Sequence, residues 1–257
     1  MRNPIILALD LPTAAEALAV AQAVVPWVRA FKVGKELFVS SGPRIVEQLR
    51  ATGASVFLDL KFHDIPNTVA KAVAAAVRLD VQMLTVHCSG GRAMLTAAEA
   101  AAQNTASALG IHPPLVLGVT VLTSMDSHTL AELGGETNPA VQVERLARLA
   151  VDSGLRGLVC SPRELAQLRP QLPEGTQYVT PGIRTGAEPP DDQKRTLSPQ
   201  EAMEAGATWL VIGRPIYAAP NPAEAAHRIW TSIQATPLEV AERNARSDTF
   251  HKPSTSP

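Results

Sequence analysis

Residues 55–64 read Ser-Val-Phe-Leu-Asp-Leu-Lys-Phe-His-Asp. Successive side chains in a strand point to opposite faces, so Val56, Leu58, Leu60 and Phe62 make one apolar face while Phe57, Asp59 and Lys61 share the other. The first face suits packing against helices. The second places a carboxylate and an ammonium together at the C-terminal end of the strand, where α/β barrels collect their reactive groups.

Working outward from this stretch, similar apolar or β-branched runs recur at 4–10, 30–33, 81–87, 115–120, 157–160, 177–180 and 208–212, with Ala-rich helical stretches between them. The last run is followed by a helical stretch over 215–233. Strand-then-helix alternation is the pattern of a parallel sheet covered by helices. Eight repeats, with no GxGxxG fingerprint after the first strand, favour a closed (β/α)8 TIM barrel over an open doubly wound sheet. We therefore expect an α/β protein with a single barrel domain over residues 1–234 and a polar, partly disordered tail over 235–257.

The composition agrees with this reading. A hydrophobic fraction of 46% with 18% charged residues is ordinary for a globular chain, and 257 residues can form one large core. A net charge of −1 with scattered Lys and Arg provides no basic stripe for a nucleic-acid backbone, so an anionic ligand would need a local pocket. No apolar run is long enough to span a membrane, and the run after Pro4 is too short for an export signal. Cys88 and Cys160 are isolated, without metal-ligand spacing, and read as reduced buried thiols of a cytoplasmic protein.

Periodicity turns Ile6, Ala8 and Asp10 inward on the first strand, and Ala30 and Lys32 inward on the second. A single charge at a strand end is ordinarily a solvated loop residue. Lys32, Lys61, Asp10 and Asp59 together, with Asp64 just beyond, form a cluster that is costly to desolvate and points to function. Val211-Ile212-Gly213-Arg214-Pro215-Ile216 runs from a strand through Gly into a helix start, the position where barrels commonly hold phosphate. Arg214 would add a charge-assisted contact. The loop over 181–195 has the length of a lid carrying Arg184 and Gln193, although its Pro/Asp-rich composition, taken alone, slightly favours a solvated excursion. For His63 we expect a loop-orienting role, for His87 a hydrogen bond inside the barrel, and for Cys88 packing.

The motifs LDLKFHDIPNT at 58–68 and FKVGKELF at 31–38 resemble the signatures of the orotidine 5'-phosphate decarboxylases, bacterial type. ALDLP at 8–12, VHCSGG at 86–91, VLTS at 121–124, TPGIR at 180–184, DDQKR at 191–195 and VIGRPI at 211–216 follow in that family's order. The DxKxxD spacing alone is shared with related sugar-phosphate barrels, whereas its union with HDIPNT and Lys32 is specific. The resemblance implies cofactor-free decarboxylation of orotidine 5'-monophosphate to uridine 5'-monophosphate, with no metal. It assigns Lys32, Asp59, Lys61 and Asp64 to an alternating catalytic array, Lys61 being the proton donor to C6. It also implies that Asp10 binds ribose, Thr123 contacts the pyrimidine, Arg184, Gln193, Gly213 and Arg214 bind the phosphate, and Pro181 belongs to the substrate site. Asp64 and Thr68 would reach into a neighbouring subunit's site, which makes a homodimer the expected partner state.

That chemistry suits these residue types. Loss of carbon dioxide from C6 leaves an electron pair in the plane of the pyrimidine, beyond reach of ring delocalisation. Preorganised charge can stabilise it: an ammonium beside C6 would favour the developing carbanion and then protonate it. Two rivals stay open on sequence alone. One is a metal-dependent sugar-phosphate enzyme on the same barrel, and the other is a barrel that binds nucleotide without turnover.

Overall fold

Strands buried on both faces need apolar residues at consecutive positions, and Ile5-Ile6-Leu7-Ala8 illustrates how the chain meets that need. In the computed structural model, which describes residues 3–185 and 196–234, this segment is the fully buried strand β1 (Ile5–Ala8). It is followed by β2 (Ala30–Val33), β3 (Ser55–Phe62), β4 (Met83–His87), β5 (Leu115–Val119), β6 (Gly157–Val159), β7 (Gln177–Thr180) and β8 (Trp209–Ile212). All pair in parallel with their sequence neighbours, and β8 closes on β1. The expected (β/α)8 barrel is therefore present, with strand ends within about two residues of the sequence reading.

The alternation predicted from the pleat sorts the core into two layers. Ile6, Ala8, Ala30, Phe57, Met83, Leu117, Val179 and Val211 fill the barrel interior. Ile5, Leu7, Phe31, Val33, Val56, Leu58, Leu84 and Val86 face outward onto the helices. The helices match this outer surface with small residues: in Gly91–Leu109, Met94, Leu95, Ala98, Ala102 and Ala106 are buried at helical spacing, and Gly110 ends the helix in the left-handed conformation. Gly118 of β5 shows how close the layers lie. A Cβ there would stand 2.7 Å from the Cys88 sulfur and 3.1 Å from the Cβ of Ala150 on the helix Pro139–Asp152.

Two expectations need correction. β1 stops at Ala8, so Asp10 lies beyond the strand rather than in it. The single helix expected over 215–233 is two helices, Arg214–Tyr217 and Pro222–Gln234. Pro220 and Pro222 interrupt the first, and the Asn221 side chain accepts a hydrogen bond from the Glu224 backbone N–H at 3.2 Å to start the second. Among the described residues no helix is long and apolar enough to cross a membrane. The tail over 235–257 and the stretch 186–195, with Gln193, lie outside the described residues.

Candidate active site

The C-terminal ends of the strands converge on a cavity of about 290 Å³. Asp10, Lys32, Asp59, Lys61, Thr123, Pro181, Arg184, Gly213 and Arg214, each singled out from sequence, all line it. β2 delivers Lys32 from inside the sheet, and β3 delivers Asp59 and Lys61. Gly34 keeps the space beside Lys32 open, since a Cβ there would come within 3.1 Å of the Lys32 ammonium and 3.2 Å of the Asp10 carboxylate.

The charges form an alternating chain. Asp10 Oδ1 lies 2.8 Å from Lys32 Nζ, which is 3.8 Å from Asp59 Oδ2. Lys61 Nζ donates to both Asp59 oxygens, at 2.8 and 2.9 Å. Side-chain exposure is 11% for Lys32, 12% for Asp59 and 23% for Lys61, but 50% for Asp10. Burial pushes the Asp59 carboxyl up, yet the charges of Lys61 and Lys32 and hydrogen bonds from Lys61 and Thr85 together hold it below its ordinary value. Asp59 is thus a carboxylate at neutral pH and a fixed anchor for two ammonium groups.

Lys61 occupies an unusual backbone position. Its φ of 54° lies in the left-handed region, where a non-glycine residue carries a strain of about 1–3 kcal/mol. The β3–β4 pairing also shifts register between Leu58 and Phe62. Strict alternation would leave the strand regular here. Leu60 and Phe62 nonetheless pack against the outer core as the pleat predicts.

The residues expected on the phosphate side sit on two connections. An isolated bridge pairs Ile183 with Leu197: the Arg184 backbone N–H donates to the Leu197 carbonyl at 3.0 Å, and the Leu197 N–H donates to the Gly182 carbonyl at 3.2 Å. This clamp fixes the backbone at Arg184, in the connection that follows β7. Gly213 and Arg214 turn from β8 into the short helix Arg214–Tyr217, whose Tyr217 also lines the cavity. Burial, then the charge of Asp10, raises the Tyr217 phenol above its ordinary value, leaving it a neutral donor.

Asp64 and Thr68 are not brought into this cavity. Both are exposed; the Asp64 carboxylate accepts from the Ile65 backbone N–H at 2.6 Å, and Thr68 lies in the first turn of the helix Pro66–Val77. His87 is half-buried and faces His63 with ring centroids 5.5 Å apart, a ring contact where a hydrogen bond inside the barrel was expected. Burial, then the positive neighbours His63, Lys61 and Lys35, lower its pKa, with Asp59 opposing. Cys88 is wholly buried, and burial pushes its thiol up to about 12, in keeping with a packing role. Cys160, also buried, forms part of the cavity wall. Among the described residues no three His, Cys, Asp or Glu side chains are grouped to hold a metal ion.

Sequence reasoning missed Thr85 and Tyr217. Thr85 is fully buried, and its hydroxyl lies 3.0 Å from Asp59 Oδ1. The signal was available in the parity of β4, which puts Met83, Thr85 and His87 on one face.

The chain is similar to known proteins over most of its length. The sequence pattern of the orotidine 5'-phosphate decarboxylase / HUMPS family matches residues 3–229. An orotidine 5'-phosphate decarboxylase of Opitutus terrae is 49% identical over 235 residues, covering 91% of this chain and all of the relative. One from Chromohalobacter salexigens is 52% identical over 220 residues, covering 86% of this chain and 91% of the relative. The crystal structure of orotidine 5'-phosphate decarboxylase from Lactobacillus acidophilus superposes with a TM-score of 0.81 at 35% identity, covering 91% of this chain and all of that one. Matched across nearly the whole barrel and about half identical to relatives of that name, this chain belongs to the orotidine 5'-phosphate decarboxylase / HUMPS family.

Proposed function

We propose that this chain decarboxylates orotidine 5'-monophosphate to uridine 5'-monophosphate, a step of pyrimidine biosynthesis, with Lys61 stabilising and then protonating the C6 carbanion. The observation that carries this reading is the Lys61 ammonium held by both oxygens of a buried Asp59 in a cavity that also holds Arg184, Gly213 and Arg214. An ammonium so fixed does not have to reorganise as negative charge develops on the ring, which is the condition under which electrostatic stabilisation is largest. When the C6–carboxylate bond breaks, its electron pair stays on C6. A proton from Lys61 Nζ forms the new C6–H bond, and the lysine is left neutral until solvent reprotonates it.

Asp59 fixes the position of Lys61, and Lys32 tethers the array to Asp10. In this reading Asp10 contacts the ribose, Thr123 the pyrimidine, and Arg184, Gly213 and Arg214, with Gln193, the phosphate end, while Pro181 is part of the substrate site. Phosphate binding away from the reacting carbon then supplies energy that holds the ring against Lys61. We further infer a homodimer in which Asp64 and Thr68 complete the partner's site. Their exposure outside their own chain's cavity supports it, as does Ile65 between them, which is 67% exposed. The same reading assigns residues 1–234 to the barrel and the polar 235–257 to a tail outside the site, in a cytoplasmic enzyme whose two thiols stay reduced.

The test is the ultraviolet absorbance of orotidine 5'-monophosphate incubated with purified protein in excess chelator. Turnover should persist, because the mechanism assigns all charge stabilisation to Lys and Asp side chains. Activity lost on chelation and restored by magnesium would transfer the protein to the metal-dependent alternative, and tight uridine 5'-monophosphate binding without turnover would make it a sensor.

A further inference from the structure

β3 and β4 lose their one-to-one pairing at the catalytic end. Leu58 pairs with Leu84, and Phe62 with Val86, so Asp59, Leu60 and Lys61 on one strand stand opposite Thr85 alone on the other. The regular ladder cannot serve three residues from one. At this point the Thr85 side chain replaces it: the Lys61 backbone N–H donates to Thr85 Oγ1 at 2.9 Å, and Oγ1 lies 3.0 Å from Asp59 Oδ1. The hydrogen positions follow from chemistry. Asp59 is ionised and can only accept, so the Thr85 hydroxyl donates to it, leaving the oxygen lone pairs for the Lys61 N–H.

Resting on the decarboxylase reading, we propose that Thr85 is a positioning residue for the reaction: its hydroxyl holds the left-handed turn at Lys61 and the orientation of Asp59 at once, and so sets where the Lys61 ammonium meets C6. The hydroxyl is wholly buried and does not line the cavity, so it acts through those two residues and not on substrate. One rigid, β-branched side chain links the backbone of the proton donor to the carboxylate that anchors its ammonium. Removing the hydroxyl leaves the Lys61 N–H without its partner and takes one restraint off Asp59, which the two lysines alone then hold. It also takes away one of the donors that keep the Asp59 carboxyl ionised.

The experiment compares Thr85→Val, Thr85→Ser and wild type, each as full chain, by kcat and KM for orotidine 5'-monophosphate, Kd for uridine 5'-monophosphate, and the pH profile of kcat. We expect Thr85→Val to lower kcat about tenfold to a hundredfold, the scale of losing one oriented hydrogen bond to a charged group. KM and product Kd should move less than about threefold, since neither the ribose nor the phosphate contacts change. The acid limb of kcat should move to higher pH. Thr85→Ser should recover kcat to within about threefold, which a purely packing role for the threonine would not allow. If Thr85→Val fails to fold, Thr85→Cys keeps the volume with a weaker donor and carries the same split in smaller form. Valine or cysteine variants with wild-type kcat, or a serine variant as impaired as valine, overturn the assignment. Absence of turnover by the wild-type chain in the same assay instead overturns the functional reading, and this assignment with it.

Discussion

Mixing two inactive variants should restore activity if the sites are shared between subunits. Lys61 lies in the cavity and Asp64, three residues further on, lies outside it with its carboxylate on the Ile65 N–H. In the proposed dimer Lys61 serves its own site and Asp64 the neighbour's. Lys61→Ala and Asp64→Ala homodimers then each lack one member of the array at every site, and both should be nearly inactive. In a mixed dimer one site receives both defects, while the other combines an intact Lys61 from one chain with an intact Asp64 from its partner. Random pairing of equal amounts makes about half of the dimers mixed, each with one intact site of two, so about a quarter of wild-type activity is the ceiling for a twofold interface. The assay is ultraviolet absorbance at fixed total protein after co-refolding, with differently tagged chains used to measure mixed dimers. A mixture as inactive as its parents, although mixed dimers are present, would show that Asp64 serves its own chain and that the shared-site assignment is wrong.

Three further outcomes follow from the site. Arg214→Ala should lower kcat/KM by about tenfold to a hundredfold for the nucleotide and much less for the nucleoside without phosphate, because a charge-assisted contact is lost only in the first case. Equal losses on both substrates would move Arg214 to folding or to the base. The Asp59 carboxyl is held below 3.8, so its contribution to stability is complete above the ordinary carboxylate range and disappears only as pH falls through the lowered value. Thermal melts should therefore show a difference between wild type and Asp59→Asn that narrows in acid but stays constant from pH 6 to 8 if Asp59 alone governs it. His87 is held below 6.5, so the unfolded chain binds more protons there and stability should decline as pH drops through 6.5; His87→Gln should flatten that slope, and an unchanged slope would assign it elsewhere.

How far the sequence carried depends on the kind of signal. Strand parity located the inner layer of Ile6, Ala8, Ala30 and Phe57 and placed Lys32, Asp59 and Lys61 in the mouth, because pleat direction is a local property of the chain. Asp10 reached the same cavity from beyond the end of its strand, so parity named the right residue for an incomplete reason. Thr85 was passed over because threonine is an ordinary strand residue, and its hydroxyl acquires a task only where two strands fall out of register. That mismatch is a relation between segments more than twenty residues apart, invisible in either one. The helix over 215–233 was joined across Pro220 and Pro222 because periodicity outweighed the local stop signal.

The gradient of exposure along the charged chain bears on how the site works. Asp10, at one end, is half exposed, so solvent screens its pairing with Lys32, and in the proposed mechanism that contact can give way to a ribose hydroxyl at little cost. Asp59 and Lys61, at the other end, are largely shielded, with Phe57 directly below them in the barrel interior. Apolar packing on that side shields Asp59 more than Lys61, which still borders the cavity, and each is held by its opposite. If Asp10 binds and Lys61 reacts, as proposed, the binding end is left adaptable while the reacting end is fixed, and Lys32 pairs with both Asp10 and Asp59. The strain at Lys61 sits within the fixed end. There Thr85 and Asp59 constrain the lysine at backbone and ammonium together, so relaxing either constraint should displace the proton donor more than it weakens the barrel.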